Sequence, residues 1–285
     1  MTENLAIRAM TRPEVDTLID WAAAEGWNPG LHDADIFWMT DPLGFVAAEL
    51  DGELAGGGSI VAYGRDFGFM GFFIMRPDCR GRGLGRQLWL SRRDRLRGRL
   101  RPTAAIGMDG VFAMQPFYAA GGFVFQHRDL RFAGTGQAAT AARHLAAATE
   151  VPAALLDAYD QRHFPALRPA FLLAWIRQPE SRSVVALVNG EVRGYGVVRR
   201  CREGYKIGPL FADSPSLAED LFVSLSDHAA GAPLYLDVPE INDAAMELAR
   251  RHLMAPVFGC ARMVLGPPPD LPHGEIYGVT SFELG

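Results

Sequence analysis

The stretch GFMGFFIMRPDCRGRGLGRQLWLSRR, Gly68 to Arg93, decides the fold. Its aromatic-rich apolar run reads as a β-strand from Phe67 to Met75, stopped at Arg76-Pro77. Glycine then takes every second position, at Gly81, Gly83 and Gly85, and a Leu- and Arg-rich helix runs from Leu84 to about Arg97. The first turn of a helix offers unpaired backbone N–H groups and the positive end of its dipole, which is what a phosphate needs. Glycines clear the side chains from that turn, Arg80, Arg82 and Arg86 add charge, and Leu84 and Leu88 pin the helix to the sheet. The stretch therefore predicts strand, phosphate-holding turn and helix.

Working outward, TRPEVDTLIDWAAAEGW reads as a helix with a capping box at Thr11 and Glu14 and one apolar face of Val15, Leu18, Ile19 and Ala22. GFVAAELDGELAGGGSIVAYG gives two strands joined at Asp51-Gly52, a hairpin turn. TAAIGMD is a strand, VFAMQPFYAAGGF a short helix closed by Gly121-Gly122, and FVFQHRDLRF a further strand. The small, polar stretch from Ala133 to Ala154 marks a boundary near residue 140.

Beyond that boundary the pattern recurs. SVVALVNGEVRGYGVV, from Ser183, mirrors the hairpin from Gly44; YKIGPLFAD matches GFFIMRPD; PLYLDVPE and NDAAMELARRHL repeat the strand and helix that follow. A period of about 140 residues predicts two lobes of one fold, 1–140 and 141–285. Each lobe is expected to be α/β of the α+β kind, a mixed, mostly antiparallel sheet flanked by helices. The second copy carries SPSLAEDLF in place of the glycine turn, so it cannot wrap a pyrophosphate in the same way.

Composition narrows the function. The 285 residues are 49% hydrophobic and 21% charged, enough apolar material for such cores. A formal net charge of −5 argues against bulk attraction to nucleic acid or anionic membrane. Nine arginines against one acid, Asp94, do lie between Arg80 and Arg101, but Arg86, Arg93 and Arg97 fall on a face opposite Leu88 and Leu96, which describes a solvated surface. No nucleic-acid or membrane partner is expected, and with neither a spanning segment nor a signal peptide the expected compartment is the cytoplasm. Cys79, Cys201 and Cys260 are widely spaced and form no CxxC pair, and the seven histidines show no HExxH spacing, so neither disulfide nor metal is expected. Cys79 beside Arg80 is a candidate nucleophile, but a half-buried structural thiol is the preferred reading.

Four readings of the glycine turn compete, and the plainest is a glycine-rich turn that merely carries surface arginines. A dinucleotide fingerprint needs G-x-G-x-x-G after the first strand of a βαβ unit, whereas the spacing is G-x-G-x-G and a hairpin precedes it. A P-loop needs G-x-x-x-x-G-K-[ST], and the single lysine, Lys206, lies elsewhere. What fits is R-x-x-G-x-G, met by Arg80-Gly81-Arg82-Gly83-Leu84-Gly85. At these residues, and at FYAAGGFVF, which is similar to a Y-x-x-x-G-F ending, the sequence resembles the GNAT superfamily of acetyl-CoA-dependent N-acetyltransferases. EGWNPG, GYKIGPLFAD, LDVPEIN and GVTSFELG extend the resemblance to a two-lobed bacterial group whose second lobe is degenerate.

The resemblance implies direct transfer of an acetyl group from acetyl-CoA to an amine, with a small molecule expected as acceptor. It places the pyrophosphate on the amides from Arg80 to Arg86 and the pantetheine against the backbone of Phe73, Ile74 and Met75. It gives Tyr118 the role of assisting the departing sulfur, and sets Asp109 where many members carry a cofactor-contacting asparagine. Asp109 and Asp237 stand at equivalent strand ends; neither they nor Glu25 nor Asp41 can be singled out as general base. The second lobe is expected to close the acceptor side, with the aromatic loop Trp27 to Trp38 and the strand end near Asp237 lining a pocket. A non-catalytic acyl-CoA-binding sensor is the alternative, and the oligomeric state is left open.

Overall fold

The computed structural model describes residues 4–140 and 142–285. The first half runs β1 (Leu5–Ala9), α1 (Arg12–Ala24), α2 (Asp33–Thr40), β2 (Phe45–Leu50), β3 (Glu53–Tyr63), β4 (Phe67–Met75), α3 (Leu84–Arg99), β5 (Ala105–Val111), α4 (Gln115–Ala120) and β6 (Val124–Thr135). The second repeats that order with β7 (Leu145–Ala147), α5 (Ala153–His163), α6 (Pro169–Arg177), β8 (Ser181–Val188), β9 (Glu191–Arg200), β10 (Tyr205–Ala212), α7 (Pro215–His228), β11 (Pro233–Pro239), α8 (Asp243–Arg251) and β12 (Ala255–Leu265), and adds β13 (Ile276–Gly278).

Local chemistry explains the matching parts. Asp51-Gly52 and Asn189-Gly190 both have positive φ at the two central residues, the backbone twist that a two-residue hairpin needs. They fix the registers Leu50↔Glu53 and Val188↔Glu191. Thr11 N donates to Glu14 Oε2 at 2.8 Å, closing one arm of the capping box that starts α1. The stretch from Trp27 to Trp38 is not all loop: α2 takes up its second part and buries Ala34, Ile36 and Phe37.

The two halves share one sheet, in the order β1-β2-β3-β4-β5-β12-β6-β11-β10-β9-β8-β7. Its pairing is antiparallel except at β4–β5 and β10–β11. The closing strands are exchanged. β12 from the second half pairs with β5 from Leu265↔Ile106 to Cys260↔Val111, and β6 from the first half pairs with β11 from Thr135↔Pro233 to Asp129↔Pro239. β6 and β12 also pair with each other, so each half completes the other.

Both parallel pairs open into a wedge. β4 follows β5 only from Phe67↔Ala105 to Met70↔Met108, and β10 follows β11 only from Tyr205↔Leu234 to Ile207↔Leu236. At each opening a bulge sets two residues against one: Phe72 and Phe73 in β4, where Phe72 has φ 51°, and Gly208 and Pro209 in β10. The second wedge is filled. β13 pairs with β10 through Leu210↔Gly278 and Phe211↔Ile276, and Val279 N donates to the Asp237 carbonyl across the gap. The first wedge stays open.

The seam between the halves combines aromatic packing with buried ion pairs. Phe37 of α2 lies 5.9 Å from Phe72 and 6.0 Å from Trp175 of α6, ring centre to ring centre. Arg131 of β6 makes a bidentate pair with Asp237 of β11 at 2.7 and 2.8 Å and donates from Nη1 to the Trp27 carbonyl at 2.7 Å. Arg199 of β9 reaches Asp33 of α2 at 3.1 Å, and Lys206 donates to the Asn28 carbonyl at 3.1 Å. Among the described residues no helix is long and apolar enough to cross a membrane, and no group of His, Cys, Asp and Glu is placed to hold a metal ion.

Candidate active site

Where β4 and β5 part, a cavity of about 470 Å³ opens between α3, α4 and the seam. It gathers most of the residues singled out in the sequence: Phe73, Ile74, Met75, Arg80, Gly81, Gly83, Gly85, Arg86, Asp109, Tyr118 and Trp27 all line it. Arg82, Leu84 and Asp237 do not. Leu84 is buried beneath the turn as the first residue of α3. Arg82 Nη1 donates to the Asp78 carbonyl at 3.4 Å. Asp237 is buried under Arg131.

The glycine turn has the backbone of an anion cradle. Gly81 and Gly83 have φ of 74° and 78°, and Gly83 caps α3 in the left-handed region with no side chain closing the helix end. The equivalent α7 is closed: Ser214 Oγ accepts from Leu217 N at 3.4 Å. Arg80 is a strut rather than a free cation, its Nε donating to the Met75 carbonyl at 2.8 Å while its Nη2 pairs with Glu25.

Tyr118 sits against Gly110, where a Cβ would come within 2.3 Å of its ring. Burial pushes its phenol up to about 12, with Arg92 pulling the other way. Arg92, which sequence reasoning passed over as one more arginine of α3, is fully buried and makes no ion pair among the described residues. Its Nη2 donates to the carbonyls of Ser59 and Gly71, both at 2.5 Å, while Nε and Nη1 have no hydrogen-bond partner. Burial pulls it down to about 9. A cation held without an anion beneath an open strand is costly, and it favours negative charge developing nearby.

Asp109, Asp129 and Asp41 are held by arginines. Both oxygens of Asp109 accept from Arg262, at 2.6 and 2.8 Å, and Asp129 shares that guanidinium at 3.5 Å. One arginine cannot neutralise two buried carboxylates: burial pushes Asp109 well above the usual carboxylate range, while Arg262 and His127 hold Asp129 below it. Asp41 pairs with Arg99 at 2.6 Å and accepts from Ala62 N at 2.9 Å, a structural role. Cys79 is buried outside the cavity; Cys260 lines it, with its thiol pushed well up by burial.

Four more lining residues come from the second half or the bulge: Phe72, Phe258, Phe282 and Glu283. GVTSFELG contains two of them, but nothing local in that string points to a site 200 residues away on β4.

The residues 12–123 match the family model for the acetyltransferase (GNAT) family, and 156–278 match that for an acetyltransferase (GNAT) domain. The holothin acyltransferase of Pseudoalteromonas sp. (strain SANK 73390) is 26% identical over 269 residues, spanning 93% of this chain and 90% of that protein. Among solved structures, a Pyrococcus horikoshii protein superposes with a TM-score of 0.84 at 23% identity over 99% of this chain and 96% of the other. A tandem GNAT protein from the clavulanic acid biosynthesis pathway superposes with a TM-score of 0.64 at 14% identity over 93% of this chain and 100% of the other. A cradle at the start of α3, a wedge between parallel strands and two matching halves lead to one assignment: the chain belongs to the GNAT superfamily of acyl-CoA-dependent acyltransferases and carries two GNAT domains in tandem.

Proposed function

We propose that the first half binds acetyl-CoA and transfers its acetyl group directly to the amine of a small molecule, while the second half walls the acceptor side without binding a donor of its own. The observation that carries this reading is a single cavity lined by the glycine turn, the open edge of β4 and Tyr118. The amides from Arg80 to Arg86 receive the pyrophosphate, and the edge from Phe73 to Met75 pairs with pantetheine. The bulge leaves a peptide unit of β4 outside its ladder, free to face the thioester oxygen. Tyr118 hydrogen-bonds the departing sulfur, and Arg92 lowers the cost of the thiolate. Asp109, locked to Arg262, shapes the wall of the cavity.

The second half lacks each donor-binding device. Its turn has no glycine, Ser214 closes its helix, β13 fills its wedge, and Pro209, at the position of Phe73, has no N–H to offer. One donor site per chain is the expected stoichiometry.

Titration calorimetry with acetyl-CoA and thiol release with a panel of amines test the reading. Binding of one equivalent with thiol release supports it; binding without release by any amine leaves an acyl-CoA sensor. Gly83→Ala is expected to weaken acetyl-CoA binding about tenfold, since a left-handed backbone costs an L-residue roughly 1–2 kcal/mol. Tyr118→Phe is expected to lower kcat on the order of 100-fold with the acetyl-CoA Kd unchanged. Unaltered turnover would remove the phenol from the mechanism.

A further inference from the structure

We propose that Glu283 is the base that takes the proton from the acceptor, and that the acceptor is a cationic amine on a flat apolar body. This rests on the acyltransferase reading above and extends it to a residue far in sequence from the donor motifs.

Three acidic residues line the cavity, and two have hydrogen-bonded carboxylates: Asp109 with Arg262 and Glu25 with Arg80. Glu283 is 4% exposed, and its Oε2 has no hydrogen-bond partner. A buried carboxylate oxygen left unbonded is expensive, and in this proposal the ammonium group of the acceptor supplies the missing donor. The walls around it are Trp27, Phe72, Phe258 and Phe282, which suit a flat body beside the ammonium group.

The segment bearing Glu283 is fixed to the reactive strand. Ser281 Oγ accepts from Glu283 N at 3.3 Å and Leu284 N at 3.0 Å, and the Leu284 carbonyl accepts from Tyr63 Oη at 2.9 Å. Ser59 Oγ donates to the Glu283 carbonyl at 3.4 Å and accepts from Gly71 N at 3.0 Å. The segment runs so close to β4 that a Cβ on Gly71 would lie 2.0 Å from the Glu283 carbonyl oxygen. Gly71 directly follows the last residue of β4 paired to β5, so Glu283 is held where the wedge begins.

Lys206 of β10, Arg131 of β6, Arg199 of β9 and Asp33 of α2 face it. Burial raises Glu283 above the usual carboxylate range, with Lys206 and Arg131 opposing. A base with a raised proton affinity is better matched to an ammonium. The Glu283 carboxylate takes one N–H proton and leaves a neutral amine. The nitrogen lone pair forms the C–N bond at the thioester carbon, the C–S bond breaks, and its electron pair leaves on sulfur. The nitrogen's second proton ends on that sulfur as thiol, and Glu283 returns the first to solvent.

The test compares benzylamine with benzyl alcohol, its neutral counterpart, by calorimetry on protein saturated with coenzyme A. The wild type is expected to bind benzylamine about tenfold more tightly. Glu283→Gln is expected to lose that preference while keeping its acetyl-CoA Kd. With benzylamine and acetyl-CoA, thiol release by the variant is expected to fall about 100-fold, and its kcat/KM to rise with pH as solvent supplies free amine. Glu283→Asp, which keeps the charge but shortens its reach, is expected to retain the preference and lose rate, and serves alone if the Gln variant does not fold. Equal affinity of the wild type for both compounds, or a Gln variant with wild-type rate and pH profile, would overturn the assignment. Absence of acetyl-CoA binding to the wild type would instead overturn the donor reading on which it rests.

Discussion

Asp237→Ala is expected to lower the melting temperature by on the order of 10 °C, following a loss of about 3–5 kcal/mol. Arg131 and Asp237 are 2% and 1% exposed and meet in a bidentate pair. Burial pushes the Asp237 carboxyl up, but Arg131 overrides it and holds the group below the usual range. Removing the acid leaves a guanidinium stranded between the rings of Phe258 and Phe282, 5.6 and 5.0 Å from their centres. It also loosens the hold of Arg131 on the Trp27 carbonyl, so acceptor KM should rise along with the loss of stability. Arg131→Met combined with Asp237→Leu should recover most of the melting temperature, since a well-packed apolar pair replaces a buried ionic one at little cost. Because the folded-state pKa of Asp237 is depressed, this stabilisation is present at neutral pH and lost as pH falls through that depressed value. A change in acceptor KM with an unaltered melting temperature would give Asp237 a direct substrate contact instead.

A chain ending at residue 140 is expected to show no cooperative melting and no acetyl-CoA binding, although it keeps the glycine turn, β4 and Tyr118. In it β5 loses β12 along its whole length, and β6 loses β12 on one side and β11 on the other. Two strands are left with unpaired edges, which invites aggregation. Phe258, Phe282 and Glu283 go with the lost half, opening the cavity to water. Circular dichroism through a thermal ramp and calorimetry with acetyl-CoA give the answer. A fragment that melts cooperatively and binds the donor would show that β5 and β6 can close on each other once β12 is gone.

The turn at Asp51-Gly52, the capping box at Thr11 and the left-handed backbone at Gly81 and Gly83 each depend on the φ preference or hydrogen-bonding reach of a few adjacent residues. The repeat was legible for the same reason, since Asn189-Gly190 writes the same hairpin a second time. Arg92 was not: in sequence it is one of nine arginines, and only the fold turns it inward over Gly58, whose missing side chain leaves room for the guanidinium.

The sequence by itself determined that a glycine-rich turn joins a strand to a helix, that the pattern is repeated, and that the second copy carries no glycine at that turn. The tertiary structure alone decided that β6 and β12 change places, that Asp237 answers Arg131, and that Glu283 reaches the wedge beside Ser59, 224 positions away in the chain. The physical reason is range. Turn and cap chemistry is fixed by neighbouring dihedrals, whereas strand exchange and the burial of single charges depend on which distant surfaces meet, and no short string of residues encodes that.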